Sequence, residues 1–74
     1  MDWRERITVD PEVRFGKPCI RGMRITVFDV LGYLSGGMTI EELLGDFPEL
    51  ERSDVLACFA YAAAMGDGVV YSPK

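Results

Sequence analysis

A mainly α domain of three helices, preceded by a short β element, is the fold that the sequence predicts. Three observations predict it. Thr26 and Thr39 each stand three residues ahead of an acid, Asp29 and Glu42, and each pair opens an apolar run at helical spacing. A third run, from Arg52 to about Met65, holds five alanines, the best helix formers. Ahead of all three, Ile7 and Val9 alternate with polar residues and "DP" follows, the pattern of a strand stopped by a turn.

The elements follow in order. Residues 5–9 read as the strand. The tetrapeptide "RITV" occurs at Arg6–Val9 and again at Arg24–Val27, but the second copy runs into "FDVLGYLSGG". There Thr26 caps a helix and Asp29 supplies the third-position acid, a capping box with aspartate in place of glutamate. Val27, Val30, Leu31 and Leu34 then recur at helical spacing, which gives a first helix at about 27–35, ended by Gly36 and Gly37. Thr39 and Glu42 form a full box before Ile40, Leu43 and Leu44, which gives a short second helix at about 40–46. Pro48 stops it, because proline lacks the N–H and biases Phe47 away from helical backbone. In the third helix, from 52 to about 65, Val55, Leu56, Phe59, Ala62 and Ala63 are expected on one buried face, with Gly66 and Gly68 as terminators.

One domain accounts for all 74 residues, since a chain this short builds a single core. Its parts are a basic N-terminal β/loop segment (1–25), a three-helix core (26–65) and a C-terminal tail (66–74). A domain near this size buries only roughly 60% of its unfolded surface, so a homodimer is expected. The opening "MDWRERITVD" lacks the apolar run of a secretory signal, and no stretch is long enough to span a bilayer, so no membrane contact and a cytoplasmic location are expected. Cys19 and Cys58 form no C-x-x-C pair and the chain has no histidine. Two reduced thiols are therefore expected, with a disulfide as the alternative, and neither a metal nor any other cofactor is implied.

Charge is divided unevenly along the chain. Residues 1–24 hold six cations (Arg4, Arg6, Arg14, Lys17, Arg21, Arg24) against four carboxylates, whereas residues 25–74 hold Arg52 and Lys74 against eight. Either this is a basic arm on an acidic body, the footprint for a polyanion, or it is an ordinary solvated surface. The second and third helices, joined across "DFPELE", match the helix-turn-helix plan, in which the second helix of the pair enters the major groove by its N-terminal end. Arg52 and Ser53 stand at that end, but Glu49, Glu51 and Asp54 surround them with charge that repels phosphate. Positive charge for DNA must then come from Arg14, Lys17, Arg21 and Arg24, which a dimer doubles. Gly16, Pro18 and Gly22 punctuate that loop, yet it is no P-loop, because Pro11 and Pro18 occupy the places of the required Gly and Ser/Thr.

Catalysis finds little support. Without histidine no general base sits ready near neutral pH, and Glu41, Glu42, Asp46 and Asp54 read as a solvated helix face rather than a catalytic pair. Trp3, Tyr33, Phe47, Phe59, Tyr61 and Tyr71 read as core or dimer contacts rather than platforms for bases.

The run "GKPCIRGMRITV", with "ITVDP" before it and "GGMTIEELLGDFPEL" and "VLACFAYAAA" after it, resembles a small bacterial family, domain of unknown function 433. The similarity covers roughly residues 6–65. Its most specific part is G-K-P-x-I-x-G-x-R-I, followed by G-x-T-x-E-E and F-P-x-L. Gly16, Lys17, Pro18, Ile20, Gly22, Arg24 and Ile25 match the first block, and Thr39, Glu41, Glu42, Pro48 and Leu50 match the later ones. The resemblance implies a homeodomain-like or winged-helix-like helix-turn-helix domain acting as a VapB-type antitoxin of a type II toxin–antitoxin pair. It also implies two partners, a toxin with a PIN-like nuclease fold and the DNA of the chain's own promoter. Met23 and Glu51 depart from the family pattern, each replacing a threonine; the second removes a helix cap worth about 1 kcal/mol.

Two expectations of function follow. In the first, a dimeric regulator docks on DNA through Arg14, Lys17, Arg21, Arg24, Arg52 and Ser53, with the cations near the amino end outward and unpaired, and neutralises its toxin through the tail or the acidic face. In the second, the domain is a protein–protein interaction module that never touches DNA.

Overall fold

The computed structural model describes residues 2–67. The tail read as 66–74 lies outside them beyond Asp67. Three helices follow a two-stranded antiparallel sheet: β1 (Ile7–Thr8), β2 (Cys19–Ile20), α1 (Val27–Ser35), α2 (Ile40–Asp46) and α3 (Arg52–Asp67). Ile7 pairs with Ile20 and Thr8 with Cys19, and Cys19 also bridges to Thr26 at the entry of α1.

Both capping boxes form. Thr26 Oγ1 accepts from the Asp29 N–H at 2.9 Å while Asp29 Oδ2 accepts from the Thr26 N–H at 3.0 Å. Thr39 and Glu42 repeat the exchange at 3.1 and 2.8 Å. Each box satisfies donors that a helix start would otherwise leave orphaned, which fixes where α1 and α2 begin. Gly37, at φ 108°, turns the chain after α1, a conformation that side chains resist. Past α2, the N–H groups of Phe47 and Leu50 bond back to Leu43 and Phe47 (2.9 Å each), and Phe47 stacks on Tyr33 at 5.4 Å.

The core lies where α3 crosses α1, α2 and the sheet. Ile7, Ile20, Val27, Val30, Leu43, Leu50, Val55, Ala57 and Cys58 fill it, with Trp3, Met23 and Tyr61 packed around them. Enclosing each of the larger aliphatic side chains contributes about 1.5–3 kcal/mol.

Four expectations change. The strand expected at 5–9 shortens to Ile7–Thr8, because Trp3–Glu5 form a 3₁₀ turn whose start Asp2 caps, and because Val9 has no partner strand. β2 was not foreseen, since two residues carry no periodicity. α3 continues through Gly66 to Asp67, the alanine run carrying the helix past a single glycine. Its buried face is also rotated: Leu56, Phe59 and Ala63 are exposed, and Asp54, Ala57 and Cys58 are enclosed beside Val55. The run from Val55 to Gly66 is uncharged all round, so its pattern could not select a face.

Candidate functional site

The loop from Arg14 to Arg24 is built from two left-handed turns. In the first, Arg14, Phe15 and Gly16 take φ of 50°, 61° and 81° in succession. In the second, the Met23 N–H donates to Ile20 O at 2.8 Å across Arg21 (φ 46°) and Gly22 (φ 75°), both central residues having the positive φ of a type I′ turn. Gly16 and Gly22 of the G-K-P-x-I-x-G motif thus stand where left-handed backbone is required. Pro18 O accepts from the Val27 N–H at 2.9 Å, Ile20 enters the core, and Met23 packs against it, so an apolar residue at 23 has a packing role.

Three residues other than glycine hold left-handed backbone here, at a cost of about 1–2 kcal/mol each, and specific bonds hold them in it. The Arg21 N–H donates to Arg6 O at 2.8 Å, and the Gly22 N–H to Thr8 Oγ1 at 3.0 Å. Arg14 Nη1 donates to Arg24 O at 2.7 Å and to Asp29 Oδ2 at 3.1 Å, which ties the first turn to the cap of α1.

Asp54 is the centre of the frame. Its side chain is fully buried on the first turn of α3, and both oxygens are used. Oδ1 accepts from Arg6 Nη1 at 2.9 Å and Arg21 Nε at 3.0 Å; Oδ2 accepts from Arg21 Nη2 and the Glu51 N–H, each at 2.8 Å. Arg21 is therefore bidentate, the strongest geometry for this pair, and its Nη2 also reaches Glu49 O at 2.8 Å. Arg6 adds Glu51 Oε1 at 2.8 Å. Burial pushes the Asp54 carboxyl up, but the Arg21 guanidinium, the Glu51 N–H and Arg6 more than offset it and hold it below the usual carboxylate range. The hydrogen bonds to Glu51 and then Asp54 raise Arg6, and those to Asp54 raise Arg21. Glu51 indeed does not cap α3 with its side chain; Asp54 bonds its N–H instead.

The expected site residues therefore do not form one outward cationic surface. Arg21 is bound to α3, Arg14 to α1, and Arg52 pairs with Glu41 on α2. Ser53 is half-buried beside them. Lys17 and Arg24 are exposed and, among the described residues, make no ion pair. The expectation of unpaired cations near the amino end fails for Arg14 and Arg21 because each lies within reach of a carboxylate distant in sequence. Asp54, read as part of a solvated face, is instead an enclosed anion.

Phe15 is what sequence reasoning missed outright. It is 91% exposed at the middle of the first left-handed turn. Its signal was present in "RFGK", a large apolar residue between two cations and beside a glycine.

Cys19 and Cys58 are both buried free thiols. No helix among the described residues is long and apolar enough to cross a membrane.

Comparison with known proteins gives a consistent result. The model of the family described as "Protein of unknown function (DUF433)" matches residues 7–62. An uncharacterized protein of Sinorhizobium fredii (strain NBRC 101917 / NGR234), y4eO, is 33% identical over 61 residues, 82% of this chain but 28% of that protein. The crystal structure of a DUF433 member from Anabaena variabilis ATCC 29413 superposes with a TM-score of 0.79 at 30% identity, covering 85% of this chain and 62% of that one. The chain thus spans less than two thirds of either relative.

Proposed function

The chain belongs to the DUF433 family of proteins of unknown function, and from that premise we propose that it is a non-enzymatic protein-binding module of a toxin–antitoxin pair. The antitoxin class comes from the resemblance set out above; the mode of action comes from the loop. One observation carries it: Phe15 stands almost wholly in water on strained backbone that Arg14 pins to Arg24 and Asp29. A pre-ordered aromatic loses little freedom on docking, and aromatic anchors dominate the energetics of protein interfaces. Lys17, two residues on, and Arg24, whose carbonyl accepts from Arg14, are exposed and suit carboxylates on the partner, so the partner surface is an apolar pocket with an acidic rim. The toxin with a PIN-like fold is the partner this reading assigns.

Titration calorimetry against the product of the adjacent gene tests the reading. Phe15→Ala should weaken binding about thirtyfold or more, equivalent to the ~2 kcal/mol of a hot spot, with the fold unchanged. Wild-type affinity in that variant refutes it.

DNA binding by the helix-turn-helix formed by α2 and α3 is the second reading, and exposed Lys17 and Arg24 favour it. Against it, Glu41, Glu42, Asp46, Glu49 and Glu51 are exposed around the α2–α3 junction, where phosphates would lie. Two available cations per chain give a dimer four phosphate contacts and a salt slope of about −3.6. A gel shift on promoter DNA with that slope, lost in Lys17→Ala/Arg24→Ala, would establish this reading instead.

A further inference from the structure

The first left-handed turn hangs on one side chain. In residues 11–16 the N–H groups of Glu12, Val13 and Gly16 bond to Asp10 and Val13, all inside the loop. Among the described residues, only Arg14 carries hydrogen bonds from this stretch to residues beyond Lys17: Nη1 donates to Arg24 O at 2.7 Å and to Asp29 Oδ2 at 3.1 Å. Arg14 and Phe15 hold φ of 50° and 61°, a conformation that side chains leave unless other bonds offset its cost. The offset reaches this turn through Arg14, and Asp29 supplies the charge.

Asp29 Oδ2 serves two donors, the Thr26 N–H at 3.0 Å and Arg14. A cap alone does not need the second. In the other capping box Glu42 Oε1 accepts the Thr39 N–H at 2.8 Å and, among the described residues, takes no cation. From this contrast we infer that Asp29 is a positioning residue for Phe15: acting through Arg14, its carboxylate holds the ring in the pose that the partner meets, without itself joining the contact. The inference rests on the reading of Phe15 as the partner anchor and adds a residue that neither touches the ring nor follows it in sequence. Water competes less for this pair, at 30% and 34% side-chain exposure, than for Arg52 and Glu41 at 55% and 73%, so the tether is more than a surface ion pair. The start of α1 and the Phe15 turn thereby share one oxygen. By reciprocity, a partner that seats Phe15 also tightens the cap.

Relaxation of ¹⁵N reads the turn without any partner. Asp29→Gln keeps an acceptor that suits a capping box and removes the charge. The backbone order parameter at Phe15 and Gly16 should fall from about 0.85 to below about 0.6, and Asp29→Glu, which returns the charge, should restore it. Arg14→Met leaves the box untouched and should give the same loss with α1 unchanged; should Asp29→Gln loosen α1 as well, Arg14→Met decides. A turn that stays ordered in Arg14→Met, or that stays loose in Asp29→Glu, overturns the inference. Calorimetry against the product of the adjacent gene then separates the inference from the reading beneath it. Asp29→Gln should weaken binding about tenfold in the wild-type background and not at all in Phe15→Ala. Equal losses in both backgrounds sink the positioning role alone. No binding by the wild type, or wild-type affinity in Phe15→Ala, sinks the reading of the anchor, while the relaxation result still decides what orders the turn.

Discussion

Replacing Asp54 with asparagine tests the frame most directly. The substitution keeps size and shape but removes the charge that Arg6 and Arg21 share, and it turns an N–H donor toward one of those guanidinium groups. Asp54 is fully enclosed and uses both oxygens, so the loss falls in the class of a broken buried pair, about 3–5 kcal/mol. The arginines keep partial contact with water, at 28% and 37% side-chain exposure, which places the expected cost at the lower end, about 3 kcal/mol. A chain of 74 residues has about 4–11 kcal/mol in total, so this one change removes a large part of it. With a urea m-value of about 1 kcal/mol/M for a domain this small, the unfolding midpoint should fall by about 3 M. Circular dichroism at 222 nm through a urea titration measures it. The Glu41→Gln variant, which breaks the exposed pair with Arg52, should leave the midpoint unchanged. A loss below about 1 kcal/mol for Asp54→Asn would refute the claim that this carboxylate organises the loop.

Other outcomes follow from the same structure. Asp54 and Asp29 both have lowered folded-state pKa values, so their stabilisation is complete above the unfolded value near 3.9 and is lost as pH falls through the lower folded values. The urea midpoint should hold from pH 7 to 5 and drop below about pH 4, less steeply in Asp54→Asn; a midpoint that rises on acidification contradicts this. Phe15→Gly should raise stability by about 0.5–1 kcal/mol, since glycine accepts φ 61° freely and the exposed ring packs on nothing the fold needs, while partner binding is lost. Thermal melts read the first effect and calorimetry the second. Burial, reinforced by the field of Asp54, pushes the Cys58 thiol up to about 12, and Cys19 is enclosed. A chromogenic disulfide reagent should therefore find neither thiol in the native protein at pH 8 and both in guanidinium chloride; rapid native labelling of Cys58 would contradict its burial.

The first two helices were legible because their signals are local: each threonine with its acid three residues on marks a start, and glycine or proline marks a stop. The frame was not legible, because a sequence lists charges by position and not by partner. Arg21 and Asp54 are 33 residues apart and Arg6 and Asp54 are 48, so a charge asymmetry along the chain became charge pairing across the fold. Asp54 did carry a clue: it stands four and seven residues before Cys58 and Tyr61, on the inward side of α3. Phe15 escaped notice because exposure is set by the whole fold: "RFGK" marks an unusual place for an apolar ring but does not say that the ring faces water.

Arg21 joins the residue before β1, through the carbonyl of Arg6, to the opening turn of α3, through Asp54, and to the approach to that helix, through the carbonyl of Glu49. Peeling the hairpin away would therefore strand an enclosed anion, so the segment has no cheap route to local fraying. Its amide protons should exchange with deuterium at the rate of the long helix, as one cooperative unit rather than as a surface strand. Whatever meets this edge of the molecule encounters a shape already set, and recognition becomes a rigid-body collision instead of a folding step.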